Sequence, residues 1–279
     1  MEQHQATVFD GVPTMYMYLL ECPSINTRDF SLMRLCTVGG QSMPPAKMTQ
    51  VESFFNCPFM ELWGMTELAG LGVCFAWNGD YRHGSIGVPI PYVQAKIMDT
   101  ENPDIELPVG EAGELLIKGP IVMTGYFGNA AATKETLTAD GWLRTGDVAR
   151  IDPDGLFTIV DRIKDMILTA GFNIYPAELE HVIASHPDVA MVAVGAIPDE
   201  IKGELAKAYV VLKQGCSPSS GEISDFCREH LAAYKLPREI QFVEDLPKTS
   251  TGKVMRRELI RLHDTSSESN AKIKTETSA

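Results

Sequence analysis

Residues 141–174 read GWLRTGDVARIDPDGLFTIVDRIKDMILTAGFNI, and the punctuation of this stretch decides how the rest of the chain is divided. A Gly-Trp turn and a Thr-Gly-Asp corner precede an apolar run over 148–151. Asp152-Pro153-Asp154-Gly155 is a tight-turn sequence, and a second apolar run over 156–160 follows it. Two short strands joined as a hairpin are predicted. A charged cluster, Asp161, Arg162, Lys164 and Asp165, then interrupts the apolar pattern before it resumes over 166–170. Taken alone, that cluster reads equally well as a solvated turn or as a group of functional charges.

Upstream of this stretch the chain has two textures. Residues 13–20 predict a helix with proline in its first turn, residues 32–38 a buried strand ending in Gly39-Gly40, and the run after Pro44-Pro45 a helix with Met48, Val51 and Phe55 on one face. Residues 59–63 predict another strand, running directly into Gly64-Met65-Thr66-Glu67. Strand, glycine turn, helix, strand and polar loop is the rhythm of an α/β layer, whose ligands sit beyond the strand ends. From Gly84 onward, closely spaced glycines and prolines favour short β runs with tight turns. Downstream, residues 176–183 predict a helix with Leu179, Val182 and Ile183 on its apolar face. Residues 189–194 and 206–212 read as strands. Ser219 with Glu222 forms a capping box ahead of an amphipathic helix, and residues 240–243 give one more strand before a basic helix near 255–261. The polar end, 264–279, is expected to be disordered.

The chain has 279 residues, enough for two domains with substantial cores. A formal net charge of -13 argues against non-specific binding to nucleic acid or anionic lipid. The six cysteines form no CxxC pair and have no companion histidines at ligand spacing, so they read as structural thiols of a cytoplasmic protein. No apolar run approaches membrane-span length, residues 1–10 carry no secretory signal, and the terminal TETSA is not a peroxisomal address. The histidines at 181, 186 and 230 fall on or beside predicted helices as surface residues, and there is no GxSxG elbow for hydrolase chemistry.

Residues 141–180, together with Leu62-Trp63-Gly64-Met65-Thr66-Glu67 and Lys248-Thr249-Ser250-Thr251-Gly252-Lys253, resemble the adenylate-forming superfamily of acyl- and aryl-CoA synthetases and beetle luciferases. The resemblance covers nearly all of the chain but only the C-terminal half of a complete family member. It implies an α/β remnant plus a β-rich subdomain of the large adenylate-forming domain, followed by a small α+β C-terminal domain. The boundaries expected are 1–163 for the first part, with the α/β layer to about 83 and the β-rich subdomain over 84–163. A mobile C-terminal domain over 164–263 and the tail 264–279 complete the chain.

The resemblance also implies roles. Asp147, with Arg162 nearby, would hold the ribose hydroxyls of ATP; Lys164 would be the hinge about which the small domain turns; Gly171 would line the approach of the CoA pantetheine. Gly39 and Gly40 would let backbone lie close to the adenine and acyl groups. Trp63, where family members more often have tyrosine, would stack by the adenine beside Gly64. Thr66 would hydrogen-bond the phosphate, and Glu67 would hold Mg2+. Without the resemblance, Trp63 reads as a core residue and Glu67 as a helix N-terminal charge. Lys253 would touch both the carboxylate and the α-phosphate as they are brought together, relieving the repulsion between two anions. Residues 70–75 would border an acyl pocket, with Gly70 and Gly72 leaving room for the acid.

The expected reaction is that of a medium- or long-chain fatty acid–CoA ligase: acid, ATP and CoA give acyl-CoA, AMP and diphosphate through an acyl-adenylate. An aryl-CoA ligase and a non-catalytic nucleotide-binding fragment or regulator, pairing with itself or with an intact synthetase, are the alternatives. The family's Ser/Thr/Gly-rich phosphate loop with its lysine has no counterpart before Gly39. The chain alone is therefore expected not to form acyl-CoA.

Overall fold

The structure, a computed structural model, describes residues 1–77, 79–249, 253–259 and 261. The expected disordered tail at 264–279 lies outside the described residues. The chain divides into two compact units, Met1–Ile163 and Lys164–Ala279.

The first unit opens with β1 (Val8–Gly11), α1 (Pro13–Glu21), β2 (Leu35–Gly39), α2 (Pro45–Phe55), β3 (Phe59–Met65), β4 (Gly70–Cys74) and β5 (Val88–Pro89), in one sheet of order β1-β2-β3-β4-β5. The first three strands are parallel and the last two antiparallel. Proline at the first turn starts both α1 and α2, where its missing N–H costs no helical bond. Met48, Val51 and Phe55 are buried on α2, as their spacing predicts, and pack with Tyr16, Val38 and Phe59. The Tyr16 hydroxyl donates to the carbonyls of Thr37 (2.7 Å) and Phe9 (2.9 Å), tying α1 to neighbouring strands.

The second sheet of this unit is antiparallel: β6 (Gln94–Met98), β7 (Gly113–Lys118), β8 (Leu143–Ile151) and β9 (Phe157–Arg162), with a short helix α3 (Ala130–Thr136) capped by the Asn129 side chain. β5 joins the first sheet, so the α/β layer reaches past residue 83. The predicted β8–β9 hairpin is present: Gly155 N–H donates to the Asp152 carbonyl at 2.9 Å, and the Asp152 carboxylate accepts from the N–H groups of Asp154 and Leu156. Thr145-Gly146-Asp147 is not a corner before the strand but lies within it. Gly146 has φ +70°, and the pairing with β7 slips between Glu114 and Leu116, so a bulge carries the strand through this sequence.

The second unit contains β10 (Ile167–Thr169), β11 (Phe172–Ile174), α4 (Pro176–Ala184), β12 (Val189–Asp199), β13 (Gly203–Leu212), α5 (Ser220–His230) and β14 (Glu239–Phe242). Its sheet has the order β11-β10-β13-β12, with β14 beside β13. Leu179 and Ile183 of α4 and Ile223 and Cys227 of α5 form its core with Val194, Ala208 and Val210. The Ser219–Glu222 capping box is present in both directions. In the basic segment near 255–261, the described residues show a 3-10 turn, Arg256–Glu258.

Arg256 holds that segment to the rest of the unit. Its Nη2 lies 2.6 Å and its Nε 3.1 Å from the two Glu180 oxygens on α4, and its Nη1 lies 3.2 Å from Asp165. All three side chains are less than one quarter exposed, at 23%, 19% and 24%. Arg256→Leu leaves two partly buried carboxylates without their cation, and we expect a loss of about 2 kcal/mol. A two-domain thermal melt should show the transition of the second unit moving down while that of the first stays in place.

Candidate active site

Three of the residues singled out in the sequence meet in the first unit. The Trp63 indole on β3 donates from Nε1 to Asp147 Oδ2 at 2.8 Å, and Arg162 Nε on β9 lies 3.1 Å from Asp147 Oδ1. Trp63 and Asp147 are each 8% exposed, whereas the Arg162 side chain is 54% exposed. The carboxylate is thus gripped from both oxygens. The bulge positions it: Thr145 Oγ1 donates to the Leu115 carbonyl at 2.7 Å and accepts from the Asp147 N–H at 3.1 Å. Glu114 accepts from the Gly146 N–H at 3.2 Å, and burial pushes the Glu114 carboxyl upward against the opposing pull of that bond and of Arg144.

Gly39 pairs with Leu62 across the β2–β3 ladder, so the Gly39-Gly40 turn emerges beside Trp63 at the carboxyl ends of the parallel strands. Gly64 must be glycine, since a Cβ there would sit 1.8 Å from the Gly70 carbonyl oxygen in the β3–β4 pairing. Thr66 and Glu67 begin a 3-10 turn, Thr66–Leu68, directly after the strand. Thr66 is exposed and Glu67 half-buried. The Tyr126 hydroxyl donates to Glu67 Oε1 at 2.8 Å, which raises the phenol's own pKa. Among the described residues, Glu67 Oε2 has no hydrogen-bond partner. One such carboxylate suits Mg2+, which binds oxygen and retains waters and phosphate oxygens in its shell. Gly72 does not leave room as expected from its size: a Cβ there would lie 2.7 Å from Leu68 and 3.0 Å from the Trp63 ring, so the indole fills that space. At Gly70 the corresponding volume is open.

In the second unit, Lys164 is exposed in the 3-10 turn Ile163–Asp165 that begins it. The charged cluster is not a uniform solvated turn, because Asp161 is 4% exposed and Arg162 is paired with Asp147. Gly171, at φ +84°, and Ala170, at φ +49°, form the two-residue turn of the β10–β11 hairpin, in which Thr169 pairs with Phe172. Lys253 closes a second tight hairpin. Thr249 N–H donates to the Lys253 carbonyl at 2.8 Å, Lys253 N–H to Thr249 Oγ1 at 3.1 Å, and Lys248 bridges Val254. Ser250, Thr251 and Gly252 lie outside the described residues.

Two contributors escaped sequence reasoning. Glu61, in the middle of β3, is 6% exposed, and burial pushes its carboxyl up to about 8 against the lowering hydrogen bond from the Met43 backbone. It anchors the loop that leaves Gly39-Gly40, and its signal was a lone charge inside an apolar strand run. Tyr126, far from Glu67 in sequence, carried no local signal.

Two family descriptions match the chain in order, the AMP-binding enzyme over residues 1–127 and the AMP-binding enzyme C-terminal domain over residues 178–253. The chain carries the fold of these AMP-binding enzymes, with both matched parts in the same order. It is 41% identical over 259 residues to the long-chain-fatty-acid–CoA ligase of Salmonella typhimurium, covering 93% of this chain and 46% of that protein. It is 38% identical over 252 residues to the fatty acid–[acyl-carrier-protein] ligase ScoC of Streptomyces coeruleorubidus, covering 89% and 48% respectively. Among solved structures, ATP-bound MatB from Rhodopseudomonas palustris superposes with a TM-score of 0.85 at 32% identity, over 93% of this chain and 51% of that one. The chain spans 46% of the length of the Salmonella relative and 48% of ScoC. Among the described residues, no helix is long and apolar enough to cross a membrane.

Proposed function

We propose that the complete protein is a fatty acid–CoA ligase. The acid's carboxylate attacks the α-phosphorus of ATP to give an acyl-adenylate and diphosphate, and the CoA thiol then displaces AMP to give the thioester. The observation that supports it most is the buried Asp147 carboxylate, held between Trp63 and Arg162 beside the Gly64–Glu67 strand end. A fixed acceptor at the carboxyl edge of a parallel sheet suits a ribose diol.

Gly39 and Gly40 would admit the adenine, and Thr66 would donate to the α-phosphate. Glu67 would hold Mg2+, which supplies charge neutralisation to the polyphosphate when bound. Lys253 would bridge the two anions in the first half-reaction. Rotation about Lys164 would then replace it with the Gly171 turn, along which pantetheine enters. The ATP-bound relative supports the nucleotide assignment. The matches to a long-chain-fatty-acid–CoA ligase and a fatty acid–[acyl-carrier-protein] ligase support an aliphatic acid over an aryl one. Residues 1–38 contain no Ser/Thr/Gly-rich loop followed by lysine, so the 279 residues by themselves are expected to bind nucleotide without making acyl-CoA.

The test is acid-dependent ATP–diphosphate exchange by the full-length protein over a panel of aliphatic and aromatic acids. We expect exchange with medium- and long-chain fatty acids. Exclusive use of aromatic acids would establish the aryl alternative instead, and no exchange with any acid would remove the ligase reading.

A further inference from the structure

One loop holds Glu67 twice. The Met123 N–H donates to the Glu67 main-chain carbonyl at 2.8 Å, and the Tyr126 hydroxyl donates to Glu67 Oε1 at 2.8 Å. The loop is itself tied down. The Tyr126 N–H donates to Thr133 Oγ1 at 2.9 Å, that hydroxyl donates to the Asn129 carbonyl at 2.9 Å, and the Asn129 side chain caps α3. The Thr136 side chain, at the end of α3, also meets the Tyr126 hydroxyl. The phenol therefore reaches Glu67 from a fixed base.

An ionised carboxylate only accepts hydrogen bonds, so the phenol is the donor. Among the described residues, Oε1 carries that bond and Oε2 carries none. The two oxygens are thus unlike. A cation that needs one of them meets Oε2, and a cation that takes both must displace or share the phenol. Mg2+ is served by single carboxylate oxygens alongside water and phosphate, whereas Ca2+ accepts more ligands and takes carboxylates by one oxygen or by both. A hydrogen bond to a ligating carboxylate also sets its orientation before the ion arrives.

We infer that Tyr126 is a positioning residue whose hydroxyl engages one oxygen of Glu67, presents the other to the metal ion of a metal–nucleotide complex, and so sets a preference for Mg2+ over Ca2+. This rests on the proposed assignment of Glu67 to Mg2+, and it adds that a side chain without contact to the ion selects among ions.

The experiment is calorimetric titration of the full-length protein, and of its Tyr126→Phe and Glu67→Gln variants, with ATP in excess Mg2+, in excess Ca2+ and in EDTA. Acid and CoA are left out, so that nothing turns over. The wild type should bind ATP most tightly with Mg2+. Tyr126→Phe should weaken the Mg2+ complex about tenfold, the low end of the loss on removing a partner of a metal ligand, because the tyrosine is part-exposed. It should leave the Ca2+ complex within about twofold, since the freed Oε1 offsets the lost orientation. Binding in EDTA should not change. The substitution removes one oxygen from a residue that is 37% exposed, so the fold does not depend on it, and circular dichroism verifies this.

An unchanged Mg2+-to-Ca2+ ratio in Tyr126→Phe overturns the inference. Equal weakening in all three conditions assigns the tyrosine to packing and also overturns it, as does a wild type with no preference for Mg2+ over Ca2+. In each of these cases the metal reading of Glu67 stands if Glu67→Gln loses the affinity that Mg2+ adds over EDTA. If Glu67→Gln keeps that added affinity, or the wild type binds no ATP, the metal reading falls and the inference with it.

Discussion

In the full-length protein, Lys253→Ala is expected to lower acid-dependent ATP–diphosphate exchange by about a hundredfold or more, the scale of removing one preorganised charge from a developing anion. Thioester formation from supplied acyl-adenylate and CoA should stay within a few fold of wild type. The asymmetry follows from the charges. In the proposed first half-reaction two anions approach, and the hold of a cation shared between them would strengthen as the new bond forms. In the second half-reaction the mixed anhydride is already made and a thiol is the entrant, so the ammonium has less to neutralise. Position matters as much as charge. The hairpin that carries Lys253 is closed by the Thr249 and Lys248 contacts, and Arg256 fastens the segment after it to Glu180 and Asp165. Lys253→Arg keeps the charge but replaces a compact ammonium with a planar fork, so it should recover only part of the loss. Exchange at the wild-type rate in Lys253→Ala would show that the ammonium is not part of the adenylating site.

The contrast between what was and was not readable follows the range of the interactions involved. Asp152-Pro153-Asp154-Gly155 is a turn by local chemistry, and it folds as one; Pro176, Leu179 and Ile183 specify their helix by spacing, and it forms. The strand through Thr145-Gly146-Asp147 was not readable, because a glycine inside a bulge and a glycine at a corner look alike until the Glu114–Leu116 register of the partner strand is known. β1 was missed for a related reason. Its four residues, VFDG, alternate exposed and half-buried positions and are held by pairing to β2, not by their own pattern. At the site, each motif was visible as a string, but the contact between Trp63 and Asp147 joins residues 84 positions apart. A tryptophan in place of tyrosine read as the loss of a hydroxyl; only the fold shows that the indole brings a donor of its own.

Raising the pH from 6 to 8.5 is expected to destabilise the first unit through Glu61, and Glu61→Gln is expected to remove that component and leave the protein more stable at the alkaline end. The carboxyl lies on β3 opposite Val38, 6% exposed, with burial holding its pKa up to about 8. In the unfolded chain it would titrate near the ordinary carboxyl value of 4.5. The folded state therefore binds the extra proton between those values. Its contribution to stability is fully present below the unfolded value, declines as pH rises, and is gone once pH passes the folded value. Each unit of difference is about 1.4 kcal/mol, so a shift of this size amounts to a few kcal/mol on the order-of-magnitude scale. Glutamine has no proton to lose and keeps an oxygen to accept the Met43 N–H, so it preserves the anchor of the Gly39-Gly40 loop while removing the titration. Melting temperatures of wild type and Glu61→Gln at several pH values between 6 and 8.5 measure the difference directly. Parallel curves would mean that the carboxyl ionises in the folded state without penalty, and that water reaches a position the strand encloses.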